Sequence, residues 1–181
     1  LRDPFRTSHY DAPEYQNLWP SAKDYLQALK DGAANGDADF SMIDTFNRVE
    51  ILNALGRHAE ALADGQALRP RMIDFAGPDH PFTLETEDAI GAALTALGRA
   101  AEAEPLHRRT VELKTAMLGA QSPYTLLAQE YLARALLALG RRDEARELAK
   151  QVLAGREQVM GPQHRRTQQA RELLAQIRAA G

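Results

Sequence analysis

The sequence predicts an all-α solenoid of stacked helical hairpins, and three observations carry that expectation. The phrase Ala54-Leu55-Gly56-Arg57 returns as Ala96-Leu97-Gly98-Arg99 and as Ala138-Leu139-Gly140-Arg141, each copy 42 residues after the last. A second marker keeps the same step: Gly77-Pro78-Asp79-His80-Pro81 recurs as Gly119-Ala120-Gln121-Ser122-Pro123 and, more loosely, as Gly161-Pro162-Gln163-His164-Arg165. Between the markers, apolar and small residues fall at helical spacing, as at Leu84, Ala89, Ile90, Ala93, Leu94 and Leu97. A fixed period of this length means supersecondary units that are each too small to bury their own apolar face and therefore stack.

Residues 1–34 stand outside the period. Five of the eleven aromatics, Phe5, Tyr10, Tyr15, Trp19 and Tyr25, lie in the first 25 residues. Helices are expected over 13–19 and 21–30, broken around Pro20, with 1–11 irregular. The aromatics are read as cover for the open edge of the first repeat; the alternative lays residues 1–11 along a binding surface, in this molecule or a neighbour. Residues 35–76 form a degenerate first repeat. Its first helix is expected near 40–55, with Arg48-Val49 where later repeats carry an apolar-small pair. Its second helix contains Gly65 and Pro70. An internal proline removes a backbone hydrogen bond and presses on the preceding turn, so this helix is expected to kink or break near Arg69.

Residues 77–118 make the second repeat. Its first helix runs from Pro81 to Leu97 and stops at Gly98, which supplies a left-handed residue. Its second helix follows through Ala103, Leu106, Thr110, Leu113 and Met117 to a stop at Gly119. Pro81 and Pro123 suit a first helical turn, Ser122 is a good N-cap, and His80 belongs to the same turn. Residues 119–160 repeat the scheme with helices over 124–139 and 143–160. Leu132-Ala133 falls on Ile90-Gly91 and Ala145 on Ala103, small residues that let two helices approach. Residues 161–181 are read as a capping helix. Leu174-Ala175 matches Leu132-Ala133, while Gln168, Gln169, Arg171, Glu172, Gln176 and Arg178 give it a polar side.

Composition narrows the function. Of 181 residues, 44% are apolar and 26% charged, which is globular usage, and no apolar run approaches the ~20 residues that cross a bilayer. No membrane partner is expected. The absence of cysteine excludes disulfides, thiolate chemistry and cysteine-ligated metals. The chain opens on Leu1 with no charged-then-apolar leader, and is read as an excised piece of a longer protein. The net charge of −3 hides an asymmetry: residues 1–99 carry 16 acidic and 9 basic side chains, net −7, and residues 100–181 carry 9 and 13, net +4. Such a dipole fits a charge-steered partner or head-to-tail self-association.

No catalytic constellation converges, so an enzyme is not expected. His80 and His164 are two repeats apart. His9, His58 and His107 have no acidic or histidine residue at i+3 or i+4, so no metal site is read. The glycines are explained by hairpin ends, which leaves no phosphate cradle and no cofactor. Ser8, Ser21, Ser41 and Ser122 read as caps or loop residues. Arg141, Arg142, Arg146, Lys150 and Arg156 make a basic helix without interleaved aromatics, read as a solvated face with no nucleic-acid role.

The 42-residue helical hairpin, with Glu102-Ala103-Glu104-Pro105-Leu106-His107-Arg108-Arg109 opening its second helix and Leu118-Gly119 closing it, resembles the kinesin-light-chain type of tetratricopeptide repeat. The Gly77-Pro78-Asp79-His80-Pro81 turn is similar to that subfamily's signature. The resemblance is strong over 77–161, weaker over 35–76 and absent before about residue 30. It implies a right-handed superhelix whose first helices line a concave groove that binds peptides or partner domains. The chain departs from the pattern in lacking the asparagines common on the inner helices of the second and third repeats; Asn47 and Asn53 of the first are the near equivalents.

With the first helices turned inward, one row of the groove is Phe46, Asp88, Glu130 and Glu172, and an adjacent row is Glu50, Ala92, Arg134 and Gln176, with Glu85 and Thr95 extending the face. Carboxylates dominate, with Phe46 and Tyr131 as apolar anchors. The candidate partner-binding residues are therefore Phe46, Asn47, Glu50, Asn53, Glu85, Asp88, Thr95, Glu130, Tyr131 and Arg134. The expected function is a non-catalytic interaction module that holds a basic or polar segment of a protein or peptide. Because Asp88 and Glu130 lie off the apolar stripe, reversing both to lysine is expected to spare folding and abolish binding. The alternatives are a ligand-sensing regulatory domain for a small molecule or short peptide, and a homo-oligomeric self-assembly scaffold. Wording rich in alanine, arginine and leucine fits a GC-rich bacterial gene, where such repeats end larger signalling proteins. A cytoplasmic location is expected, with the periplasm left open.

Overall fold

The structure, a computed structural model, describes residues 42–179, so the readings made for the amino-terminal segment lie outside it. Seven helices occupy the described residues: α1 (Met42–Ala54), α2 (His58–Ala76), α3 (Pro81–Ala96), α4 (Ala100–Leu118), α5 (Pro123–Ala138), α6 (Arg142–Met160) and α7 (Arg165–Ala179). Each packs on its neighbours in the chain. The odd-numbered helices also touch one another in succession, whereas α2, α4 and α6 do not. The odd helices therefore form one closely spaced inner layer, and the even helices a more widely spaced outer one.

The repeated phrase is a helix stop. In each copy the leucine closes the inner helix and the glycine adopts positive φ, at 73° for Gly56 and 76° for Gly98 and Gly140. Its amide and the next one turn back on the helix: Gly98 N–H bonds Thr95 O at 3.1 Å and Arg99 N–H bonds Leu94 O at 2.8 Å, the paired bonds of a Schellman motif. The arginine of each phrase then ion-pairs with the glutamate three residues on, as Arg57–Glu60, Arg99–Glu102 and Arg141–Glu144. Because Leu97 is spent on the cap, it stays exposed and is not part of the buried stripe.

The other turn is closed by two threonines that the sequence reading had not singled out and by the histidines of the repeated marker. Thr83 and Thr167 each donate a hydroxyl hydrogen bond to the carbonyl of the turn glycine, Gly77 and Gly161, at 2.8 Å. His80 and His164 cap the following helix, each Nδ1 accepting a backbone N–H at 3.2 Å. Ser122 sits at the corresponding N-cap but makes no side-chain cap bond. Pro70 does not break α2. The helix runs on to Ala76 because proline removes the single bond to the Gln66 carbonyl, and both residues face solvent, where water can hydrate that oxygen.

Between the two helices of each hairpin, size is complementary. Val49 on α1 is paired in register with Gly65 on α2, Gly91 on α3 with His107 on α4, and Ala133 on α5 with Ala149 on α6. A Cβ on Gly91 would lie 2.5 Å from the His107 ring, whereas one on Gly65 would meet Val49 Cγ1 at 3.7 Å and would crowd Ile90 Cγ1 of the next hairpin at 2.7 Å. Ala61, Ala103 and Ala145 share one row and are fully buried. On α7, Thr167, Ala170, Leu173, Leu174 and Ile177 are buried against the third hairpin, while the other side is exposed.

Candidate functional site

The inward face of α4 is not the expected apolar one. Its buried residues are Ala100, Ala103, His107, Thr110 and Lys114, while Leu106 and Leu113 are half-buried and Met117 is exposed. The stripe is rotated about one residue from the reading based on leucines. Aligning the hairpins shows why a lysine is buried: Met72, Lys114 and Arg156 occupy one row of the outer helices, and Phe46, Asp88 and Glu130 one row of the inner helices. The first hairpin fills both rows with apolar side chains, and the next two fill them with opposite charges.

Asp88 is the centre of the second hairpin's polar core. Lys114 Nζ donates to its Oδ2 at 2.8 Å, and Thr110 Oγ1 donates to its Oδ1 at 2.5 Å. His107 Nδ1 lies 3.3 Å from the same Oδ1. A carboxylate can only accept, so Nδ1 carries the proton, and the buried Nε2 finds no hydrogen-bond partner among the described residues. The imidazole stacks on Tyr131 of α5, with ring centres 5.6 Å apart, which ties the second hairpin to the third. Burial works to raise the Asp88 carboxyl pKa, but Lys114 and His107 outweigh it and hold the group below the usual carboxylate value. Burial likewise opposes the Lys114 ammonium, yet Asp88 and Glu85 carry it above the ordinary lysine value.

Glu130 is engaged in the same way. Arg156 of α6 pairs with its Oε2 at 2.5 Å and Arg134 with its Oε1 at 2.6 Å. Burial is outweighed by the two guanidinium groups, so its pKa also lies below the usual value. Arg156 is fully buried, which corrects its assignment to a solvated basic face. A third buried carboxylate, Glu87, is clamped by Arg69 of α2 and Arg109 of α4 at 2.7 and 2.5 Å. Asp88 and Glu130, expected to stand open on the inner face, are thus inside the hairpins and neutralised by cations of their own outer helices.

Three carboxylates of the inner layer, Glu50, Glu85 and the exposed Glu172 of α7, have no bonded cation among the described residues. Glu50 and Glu85 are half-buried, and burial raises both pKa values, that of Glu85 to about 7. Arg166 is the main opposing influence on Glu50 and Lys114 on Glu85; Asp88 repels both. Between pH 4.5 and 7 the folded Glu85 holds a proton that the unfolded chain has lost. Stability from this group is therefore full below about pH 4.5 and falls as pH rises through 7. Glu85→Gln is expected to stabilise the protein at pH 8 by about 1–2 kcal/mol, after discounting for solvent screening, and to change little at pH 4.5. Urea melts at the two pH values check this; equal effects at both would show that the carboxyl is not strained by burial.

Beside these groups, a cleft of about 380 Å³ opens between α3, α5 and α7, lined by Ala92, Thr95, Ala96, Tyr131, Arg134, Leu137, Ala138, Leu173 and Gln176. Its floor is apolar. Arg134 at its edge is committed to Glu130, and the Thr95 hydroxyl donates to Gly91 O at 2.9 Å.

The register that builds this layer also identifies it. The family model of the tetratricopeptide repeat matches residues 41–116 and again residues 83–158, two windows offset by the same 42 residues. The chain belongs to the tetratricopeptide repeat family. Tetratricopeptide repeats generally mediate protein–protein interaction. Among solved structures, the chain is similar to crystal structures of nearly identical TPR-like repeats from a Podosopora anserina protein described as kinesin light chain. One, at 24% identity and a TM-score of 0.65, covers 99% of this chain and 96% of that one. A single-substitution variant, at 24% identity and a TM-score of 0.66, covers 94% and 91%. At that identity the likeness is one of fold. No curated protein matches the chain.

Within the tetratricopeptide repeat frame, the ten candidate residues separate. Thr95, Tyr131 and Arg134 meet in the cleft, and Glu50 and Glu85 stand half-buried on the same layer. Asp88 and Glu130 are core ion pairs. Phe46 packs against the apolar core that the first hairpin shares with α3, which includes Val49, Leu62 and Ile90. Asn53 Nδ2 donates to Ala89 O at 2.9 Å across the repeat boundary, with His58 Nδ1 3.3 Å from its Oδ1. Asn47 is half-buried on α1. Leu173 and Leu137 in the cleft were not singled out by the sequence, although Leu137 and Thr95 share a row and Leu173 and Tyr131 share another. Among the described residues, no helix is long and apolar enough to cross a membrane, and no group of three His, Asp or Glu side chains is placed to hold a metal.

Proposed function

We propose that the chain is a non-catalytic interaction module that seats an extended segment of a partner protein on its inner layer. One apolar side chain of the partner enters the α3–α5–α7 cleft, and a basic one lies toward Glu50 and Glu85. The observation that supports this is the cleft itself, a mainly apolar concavity lined only by residues of three inner helices. Charge complementarity favours a cationic neighbour, because Lys114 is already committed to Asp88 and both half-buried carboxylates gain from a cation. The alanine- and arginine-rich composition supports placing such a module in a larger bacterial signalling or regulatory protein.

Peptides selected from a random display library on the immobilised chain test the reading. They are expected to combine an apolar residue with lysine or arginine. Ala92→Arg, which fills the half-buried cleft floor, is expected to weaken them at least tenfold without changing the melting temperature. Peptides that bind Ala92→Arg as well as wild type would place the site elsewhere. The cleft volume also falls within the range of small-molecule pockets, which favours ligand sensing as the second reading. A compound that raises the wild-type melting temperature but not that of Ala92→Arg would establish it.

A further inference from the structure

The 42-residue step leaves a second signature, on the outside of the molecule. Phe75, Met117 and Val159 occupy one row at the carboxyl ends of α2, α4 and α6, and they are 71%, 47% and 46% exposed. Large apolar side chains repeated at the same place in three consecutive units are not scattered surface residues. The middle of the row is the most apolar part: Ala116, Met117, Leu118, Gly119 and Ala120 are all exposed and none is charged. The two sides of the row differ in sign: residues 42–99, which hold Phe75, carry 9 acidic and 5 basic side chains, net −4, and residues 100–181, which hold Val159, carry 9 and 13, net +4. The row lies in the outer layer, remote in register from Ala92, Tyr131 and Leu173 of the inner cleft.

An evenly spaced row with a neutral apolar centre, running from an acidic half to a basic half, is complementary to itself when turned end for end. We propose that two copies of the chain pair antiparallel along this row, about a two-fold axis at Met117. Phe75 of one copy then lies beside Val159 of the other, and the acidic half of each faces the basic half of its mate. A two-fold axis makes the interface isologous, so both halves of the contact repeat and the assembly closes at two copies. Head-to-tail pairing of the same charges would leave the row uncovered and would not close. The inner cleft stays open in the pair, so this inference stands apart from the proposed seat for a partner segment.

The absence of cysteine makes the geometry directly readable. With Met117→Cys, the single thiol sits on the axis, and mild oxidation is expected to give a disulfide-linked pair. Phe75→Cys alone is expected to give little, because its mate across the interface is residue 159. Mixing Phe75→Cys with Val159→Cys is expected to give the mixed dimer. In sedimentation velocity at tens of micromolar protein, the wild type is expected to dimerise, and more weakly at about 0.5 M than at about 0.05 M salt as the charges are screened. Met117→Asp, which enters the axis twice, is expected to weaken dimerisation at least tenfold with an unchanged melting temperature, whereas Ala92→Arg is expected to leave it intact. A wild type that stays monomeric at low salt, a dimer unaffected by Met117→Asp, or Phe75→Cys linking to itself more readily than Met117→Cys would each overturn the pairing. Binding of the monomer to zwitterionic lipid vesicles through Phe75 would assign the row to a lipid surface instead.

Discussion

Asp88→Lys is expected to unfold the second hairpin and, with it, most of the chain's helicity. The substitution places an ammonium group against Lys114, whose Nζ now bonds Asp88 at 2.8 Å, with both side chains almost fully buried. It also removes the acceptor for Thr110 and His107. Losing one partner of a buried ion pair costs about 3–5 kcal/mol, because the remaining charge has neither water nor a counterion, and a second like charge adds repulsion. A small domain has about 5–15 kcal/mol in total, and a solenoid of few repeats spends part of that at every interface, so the loss is close to the whole. Lys114→Met is the milder control: it leaves Asp88 with Thr110 and His107 and is expected to cost about 3–5 kcal/mol. Circular dichroism during urea unfolding reads both. A cooperative melt for Asp88→Lys within about 1 kcal/mol of wild type would mean that Asp88 lies open on the inner face after all.

The contrast between what was and was not legible in the sequence has a physical cause. Hairpins, turns and period could be read because they are written in local chemistry: a glycine at positive φ, a proline in the first turn and an arginine returning its amide to the helix end all act within a few residues. The direction in which a helix faces depends on the helix beside it, about 20 residues away. Leu106, Leu113 and Met117 look like the stripe of α4 when read alone, and His107 and Lys114 look like solvated side chains. The missing signal was in the rows. Lys114 shares its position with Met72 and Arg156, and Asp88 shares its own with Phe46 and Glu130, so a position that is apolar in one hairpin is buried in the next two. The same comparison pairs Gly91 with His107, since a residue without a side chain on one helix makes room for an imidazole on the other. What the rows could not give is whether Glu50 or Asp88 keeps an open carboxylate, because that depends on which outer helix carries a cation within reach. It is α4 that carries one, at Lys114.

The first hairpin also supplies the design for replacing the buried pair in the third. Glu130→Leu alone is expected to cost about 3–5 kcal/mol, since it leaves Arg156 fully buried and charged with the Arg166 carbonyl as its remaining bonded partner. Arg156 is poorly satisfied even in the native protein: its Nε and Nη2 have no hydrogen-bond partner among the described residues, and burial holds its pKa below the ordinary arginine value despite Glu130. Arg156→Met alone is expected to cost less, because Glu130 keeps Arg134 at 2.6 Å, a side chain that reaches solvent. In the double variant Glu130→Leu with Arg156→Met, no uncompensated charge is left in the core, and the two rows hold apolar side chains as Phe46 and Met72 hold them in the first hairpin. Replacing a buried ion pair by apolar residues of similar volume is often neutral or stabilising, so the double variant is expected to recover most of the loss of Glu130→Leu. A double-mutant cycle by urea melts measures it, with an expected coupling of about 2–3 kcal/mol between the two positions. Additive losses would mean that Arg156 is stabilised by its surroundings and not by Glu130, and the two hairpins would then not be built on the same paired rows.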